Sequence, residues 1–128
     1  MVSKFTELGI DCADPAALAR FWCAVLDYEV QDEDDGTVTI GPRPDARGGS
    51  GPSPVPPMLT FAEVPEGKTV KNRLHLDLSP ADRGQDEEVR RLLALGARRA
   101  DVGQGDESWV VLADPEGNEF CVLADRCP

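Results

Sequence analysis

The chain has 128 residues, of which 41% are hydrophobic and 29% charged, enough for one compact domain or for two half-size modules sharing a core. A formal net charge of -11 leaves no basic surface to neutralise phosphates, which argues against a nucleic-acid partner. The opening MVSKFTELGI has no signal-peptide run and nothing later is apolar enough to span a bilayer, so the expectation is a cytoplasmic protein with no membrane partner.

Residues 5–12 alternate, with Leu8, Ile10 and Cys12 on one side and Glu7, Gly9 and Asp11 on the other, the pattern of a half-buried strand. In the following ADPAALARFWCAVLDY, Asp14 is a fitting N-cap and Pro15 a fitting first helical residue. Leu18, Phe21, Trp22, Val25 and Leu26 then recur at helical spacing and form one apolar stripe. Strands are expected near residues 28–31, 37–40 and 58–64. Between the last two lies PRPDARGGSGPSPVPP, residues 42–57, whose prolines and glycines rule out a helix or an interior strand. It reads as a mobile loop, either without a role or as a lid.

The second half repeats this order. Residues 73–79 alternate, with Leu74, Leu76 and Leu78 opposite Arg73, His75 and Asp77. A helix follows, with Asp82 as its expected cap, Val89, Leu92 and Leu93 on its apolar face, and Gly96 as its stop. Strands are expected over 97–101, 108–113 and 119–123. Each half reads β-α-β-β-β, and Glu7 precedes Asp14 by the same interval as His75 precedes Asp82. The expected organisation is one domain, 1–128, made of two modules, 1–66 and 71–128.

The four cysteines include no CxxC pair, so reduced, partly buried thiols are expected rather than a zinc knuckle or a redox motif. The chain has a single histidine, His75. Lys68, Lys71 and Arg73 form a basic cluster in an acidic protein. Lys68 and Lys71 read as solvated surface cations, and Arg73 either as a bidentate anion binder or as the partner of Asp77 or Asp11. Trp22 belongs to the helix stripe. Trp109 is either a packed sheet residue or a stacking wall for an aromatic ligand.

The paired βαβββ modules, the DPAALARFW helix opening, NRLHLDL and the closing DPEGNEFCVL resemble the vicinal oxygen chelate superfamily, in particular its small glyoxalase-like and bleomycin-resistance-like members. The resemblance covers nearly the whole chain apart from the Pro/Gly loop and the last residues. It implies an α+β fold in which two βαβββ modules form an eight-stranded open, barrel-like sheet with a concave cavity, and a homodimer. Applied to the alternation, that geometry turns Glu7, Asp11, Arg73, His75, Asp77, Glu119 and Cys121 toward the cavity.

Metal-dependent relatives in that superfamily draw ligands from the first strand of each module and from the last strand. Carried over by position, these fall on Glu7, His75 and Cys121, and the fourth strand offers none of the usual groups. Oxygen, imidazole and thiolate suit a divalent metal such as zinc better than iron, magnesium or manganese. The alternative is a thiol that packs as a small hydrophobe or lines a ligand pocket, with Glu119 an offset substitute. Three functions stay open: binding of a small, for example anionic, organic molecule, with Arg73, Asp77, Asp11, Trp109 and Glu119 as contacts; a lyase or isomerase, with or without metal, moving a proton through His75 or Glu7; and sequestration of an antibiotic. A module acting through protein partners has no positive support in the residues.

Overall fold

The computed structural model describes residues 2–44 and 57–125, and most of the Pro/Gly loop read above as mobile lies outside the described residues. The chain forms two compact units, Met1–Gly67 and Lys68–Pro128. Their elements follow the order β1 (Glu7–Cys12), α1 (Pro15–Leu26), β2 (Tyr28–Asp34), β3 (Thr37–Pro42), β4 (Met58–Glu63), then β5 (Asp77–Leu78), α2 (Gln85–Leu95), β6 (Arg98–Arg99), β7 (Val110–Ala113) and β8 (Glu119–Val122). Among the described residues the strands make two four-stranded mixed sheets of matching topology, β1-β4-β3-β2 and β5-β8-β7-β6. In each, the first strand runs parallel to the last and the remaining pairs are antiparallel. Among the described residues neither sheet closes into a barrel.

In the first unit α1 starts where the residues require. The Asp14 carboxylate accepts from Ala17 N at 3.1 Å, and Pro15 occupies the first turn, where its missing N–H has no intrahelical partner to lose. The helix ends on Asp27, which adopts the left-handed region at φ 56 and receives Arg43 Nε at 3.0 Å. Leu18, Phe21, Trp22 and Val25 are buried, as are Val38, Ile40, Leu59 and Phe61 on the strands. Phe21 and Trp22 meet edge to face at 5.2 Å, an arrangement that aligns ring edge with ring face. Pro42 was placed in the loop by composition, yet it is the last residue of β3 and pairs with Tyr28. A strand terminus tolerates a missing donor.

The second unit departs further from the sequence reading. The strand expected over 73–79 is reduced to Asp77–Leu78, and Leu74, expected to face a helix, is 82% exposed. β5 is an edge strand whose one neighbour, β8, begins only at Glu119. Upstream of Leu76, whose carbonyl accepts from Cys121 N at 2.9 Å, the chain has no ladder partner among the described residues. A side chain takes over instead: Glu119 Oε2 accepts from Asn72 N at 3.0 Å. Asp82 does not cap α2. The N-cap is Gly84, without a side-chain bond, while Asp82 pairs with Arg83. Asp86, Glu87 and Glu88 in the first turn complement the helix dipole instead. Gly96 does end α2, at φ 122, with its N–H bonded to Leu92 and Leu93 carbonyls. Strand β6 is shorter than the expected 97–101.

The DPEGN turn between β7 and β8 is organised by Asp114, whose side chain is fully buried. Its Oδ1 accepts from Glu116 N and Asn118 N, both at 2.9 Å, and Asn118 Nδ2 donates to Oδ2 at 3.0 Å. Gly117 takes a φ of 89, a conformation that side chains rarely adopt. This closes the hairpin in a register that sets Ala113 opposite Glu119 and Val111 opposite Cys121. Replacing Asp114 with alanine removes the acceptor from three part-buried donors, Glu116 N, Asn118 N and Asn118 Nδ2, at once. Urea unfolding of Asp114→Ala is expected to show a loss of about 3 kcal/mol, since three hydrogen bonds to a charged acceptor are lost and their part-buried donors are left unpaired.

Candidate functional site

β5 and β8 run parallel with Asp77 opposite Cys121. Side chains in register on adjacent strands project from the same face, and His75 lies two residues before Asp77, so the alternation brings it to that face as well. Asp77 Oδ1 lies 3.0 Å from His75 Nδ1, and Cys121 Sγ lies 3.9 Å from the same nitrogen. One donor atom from each of the three residues falls within 4.8 Å of the other two.

This cluster forms part of the wall of a cavity of about 350 Å³ inside the second unit. Trp109, Val111 and Leu123 give it apolar surface, Lys71 and Glu119 add charge, and Val102, Gly103 and Gln104 complete the wall. Trp109 is 38% exposed, so its ring is available to a ligand. It precedes β7, and its neighbour Ser108 is held by Gln85 Nε2, which donates to the Ser108 and Val122 carbonyls at 2.8 and 3.0 Å. The 101–105 loop is shaped by its own side chains: Gln104 Oε1 accepts from Val102 N and Asp101 Oδ1 from Gly103 N, both at 2.8 Å.

Of the residues singled out from the sequence, His75, Asp77, Cys121, Trp109 and Glu119 line this one cavity. Glu7 and Asp11 lie on β1 of the first unit. There Glu7 Oε2 accepts from Thr60 Oγ1 at 2.6 Å, and Thr60 is 3.0 Å from Thr39. A hydroxyl has one proton to give, so Thr60 spends it on the carboxylate and Thr39 supplies the next. Thr60, on the strand that offered no usual metal ligand, thus engages Glu7 directly. Arg73 is exposed and is not among the residues lining the cavity, because the strand that would have aimed it inward is not formed.

The lysines exchange their expected roles for more specific ones. Lys68, read as a solvated cation, keeps only 22% side-chain exposure and bonds Glu119 Oε1 at 2.8 Å, with Glu119 itself at 13%. Lys71 lines the cavity and donates to the Asn72 carbonyl at 3.0 Å. Among the described residues it forms no ion pair with a carboxylate. Gln104 and the 101–105 loop were missed by sequence reasoning. The two glycines at 103 and 105, both at positive φ, were the available signal.

Burial pushes the Cys121 thiol above its ordinary range, and the charge and hydrogen bond of Asp77 push it further, against a smaller opposing pull from Lys71. In the protein as described it is therefore a neutral thiol at pH 7, not a nucleophile prepared for attack. For Glu119 burial disfavours the charged form, but the Lys68 bond, the Asn72 N–H and its own backbone N–H together hold the carboxyl below the ordinary glutamate range.

The α+β architecture, with its two matching four-stranded sheets, is that of the glyoxalase, bleomycin resistance and dioxygenase proteins. Its TM-score is 0.65 to such a family enzyme from Burkholderia phytofirmans PsJN, at 16% identity over 94% of this chain and 97% of that one. A variant of the fosfomycin resistance protein FosX from Listeria monocytogenes, complexed with Mn(II) and dihydroxypropylphosphonic acid, gives 0.68 at 14% identity over 98% and 92%. A glyoxalase-related enzyme from Fulvimarina pelagi gives 0.61 at 14% identity over 94% and 87%. The chain belongs to the glyoxalase-like domain family, whose model matches residues 7–123. No curated protein matches it in sequence.

The Lys68–Glu119 contact makes a pH prediction. A carboxyl depressed in the folded state contributes stability present above its unfolded value and lost as pH falls through the lower folded one. Urea unfolding followed from about pH 7 down to about pH 3 is expected to show a smaller acid-induced loss for Glu119→Gln than for the wild type. Equal slopes would remove Glu119 as a contributor.

Proposed function

We propose that this glyoxalase-like protein binds a small organic molecule bearing an anionic group in the cavity of its second unit. The observation that carries the reading is the convergence of Lys71, without a carboxylate partner among the described residues, and the partly exposed Trp109 ring on one cavity wall. A volume of about 350 Å³ suits a small ligand rather than a macromolecular segment. Lys71 supplies a point charge for a carboxylate or phosphonate, and Trp109 a flat apolar surface beside it. Arg73 is a second cation in the same segment, near the cavity in sequence. The phosphonic acid in the Listeria neighbour is a small anion of this kind, and that supports the ligand class.

A second reading, a lyase or isomerase, is favoured by the 3.0 Å contact between His75 and Asp77, because a carboxylate beside an imidazole orients it for proton transfer. Glu7 is the other proton-transfer candidate, held by Thr60. Sequestration of an antibiotic would use the same cavity without a reaction. A divalent metal such as zinc belongs to the proposal as a cofactor, as do a homodimer, a cytoplasmic location and a single domain of two modules. No described helix is long and apolar enough to cross a membrane, and this accords with the location proposed.

Phosphonoacetate and a panel of small dicarboxylates provide the test, titrated into the protein while tryptophan fluorescence and binding heat are followed. The wild type is expected to saturate, Lys71→Ala to bind about tenfold more weakly or worse, and Trp109→Phe to lose the fluorescence response. Failure of every anion to saturate would count against an anionic ligand.

A further inference from the structure

Resting on the reading of this cavity as the site of an anionic ligand, we infer that Glu119 is a positioning residue: its carboxylate fixes the chain on both sides of Lys71 and so holds the Lys71 ammonium at the cavity wall. By resemblance Glu119 is a contact of the ligand itself; its surroundings assign it another task. Each of its oxygens already accepts from the segment that carries Lys71, Oε1 from Lys68 Nζ at 2.8 Å and Oε2 from Asn72 N at 3.0 Å.

That segment depends on such anchors. Residues 68–75 belong to no helix or strand, and a backbone bond to β8 follows only at Leu76. Glu119 grips the chain three residues before Lys71 and one residue after it. Asn118 adds a further contact, its Oδ1 accepting from Asn72 Nδ2 at 3.2 Å, and Asn118 is itself fixed by the buried Asp114. Asn72 is thus held at its N–H and at its side chain, and its carbonyl accepts from Lys71 Nζ at 3.0 Å. The path from Glu119 to the ammonium runs through this one residue. A lysine stem is flexible, and ordering it on binding costs free energy. An ammonium already received by a fixed carbonyl has part of that ordering done.

The charges agree with this role. A bare carboxylate in the wall would repel an anion, and Lys68 compensates it. Both side chains of the pair are largely buried, yet Lys68 is not among the residues lining the cavity. The charge of Lys71 is felt inside, where it opposes the burial that pushes the Cys121 thiol up. Positioning and plain electrostatics then predict opposite signs for one substitution. Removing a carboxylate from an anion site strengthens binding if charge alone counts, and weakens it if the carboxylate is a clamp.

The test measures the binding heat of phosphonoacetate for the full-length wild type, Glu119→Ala, Glu119→Gln and Lys68→Met, and for Lys71→Ala with and without Glu119→Ala. Glu119→Ala is expected to bind about tenfold more weakly. Glu119→Gln keeps an acceptor for Asn72 N and is expected to recover most of that loss. In the Lys71→Ala background, Glu119→Ala is expected to cost less than about twofold, because the residue acts through Lys71. Lys68→Met removes one arm of the clamp from outside the cavity wall and is expected to weaken binding about threefold or more. Thermal unfolding identifies the variants that stay folded, and Lys68→Met decides the matter if Glu119→Ala does not. Unchanged or tighter binding by a folded Glu119→Ala, equal losses for alanine and glutamine, the same loss with Lys71 present and absent, or unchanged binding by Lys68→Met would each overturn the inference while the anionic-ligand reading stands. A wild type that no anion saturates would overturn both.

Discussion

The buried carboxylate of Asp114 is the constraint from which the second unit is built. It gathers the backbone donors of the DPEGN turn and the Asn118 amide, and so sets where β8 begins and which of its residues face which way. Phe120 and Val122 go to the core while Glu119, Cys121 and Leu123 go to the cavity. A one-residue slip in that hairpin would exchange the two sets, since side chains alternate with a period of two. The cavity chemistry is therefore downstream of a turn that contributes no atom to the cavity lining.

β8 then acts as the template for what precedes it in sequence. Its N–H groups at Cys121 and Leu123 take the Leu76 and Leu78 carbonyls, and its first side chain, Glu119, holds the incoming chain at Lys68 and Asn72. From Lys68 to Asn72 the segment is held by the Glu119 carboxylate and by Asn118, whose side-chain oxygen accepts from the Asn72 amide, where a strand would be held by a ladder. Lys71 is thus brought beside the cavity, and Leu74 and Arg73 are left exposed. The irregular backbone produces a charge distribution that a regular strand would not.

The two units share topology but not chemistry. On the first sheet Glu7 is engaged by a threonine pair; at the matching place in the second, His75 meets Asp77 and Cys121. Repetition of the fold without repetition of the site fits the general separation of scaffold from function. The hydroxyls and carboxylate of the first sheet satisfy one another, whereas imidazole, carboxylate and thiol form a set of unlike donors that a cation could join.

Much of this was legible in the residues. Period-two and helical patterns, Asp14, Pro15 and Gly96 located both helices and the order of elements along both halves, because these signals act between residues a few positions apart. The alternation set His75 with Asp77 and Glu119 with Cys121 on their own strands, and the family resemblance turned both pairs toward one cavity, together with Arg73, which does not line it. Residue spacing left open which of them meet, because that depends on the register of β5 against β8, set by a turn and a ladder linking residues far apart in the chain. The short extent of β5, the Lys68–Glu119 pair and the place of Lys71 at the cavity have the same origin. Local sequence determined the face a side chain takes where a strand forms; pairing between distant strands decided where the strands form, as Leu74 and Arg73 show, and which side chains become neighbours.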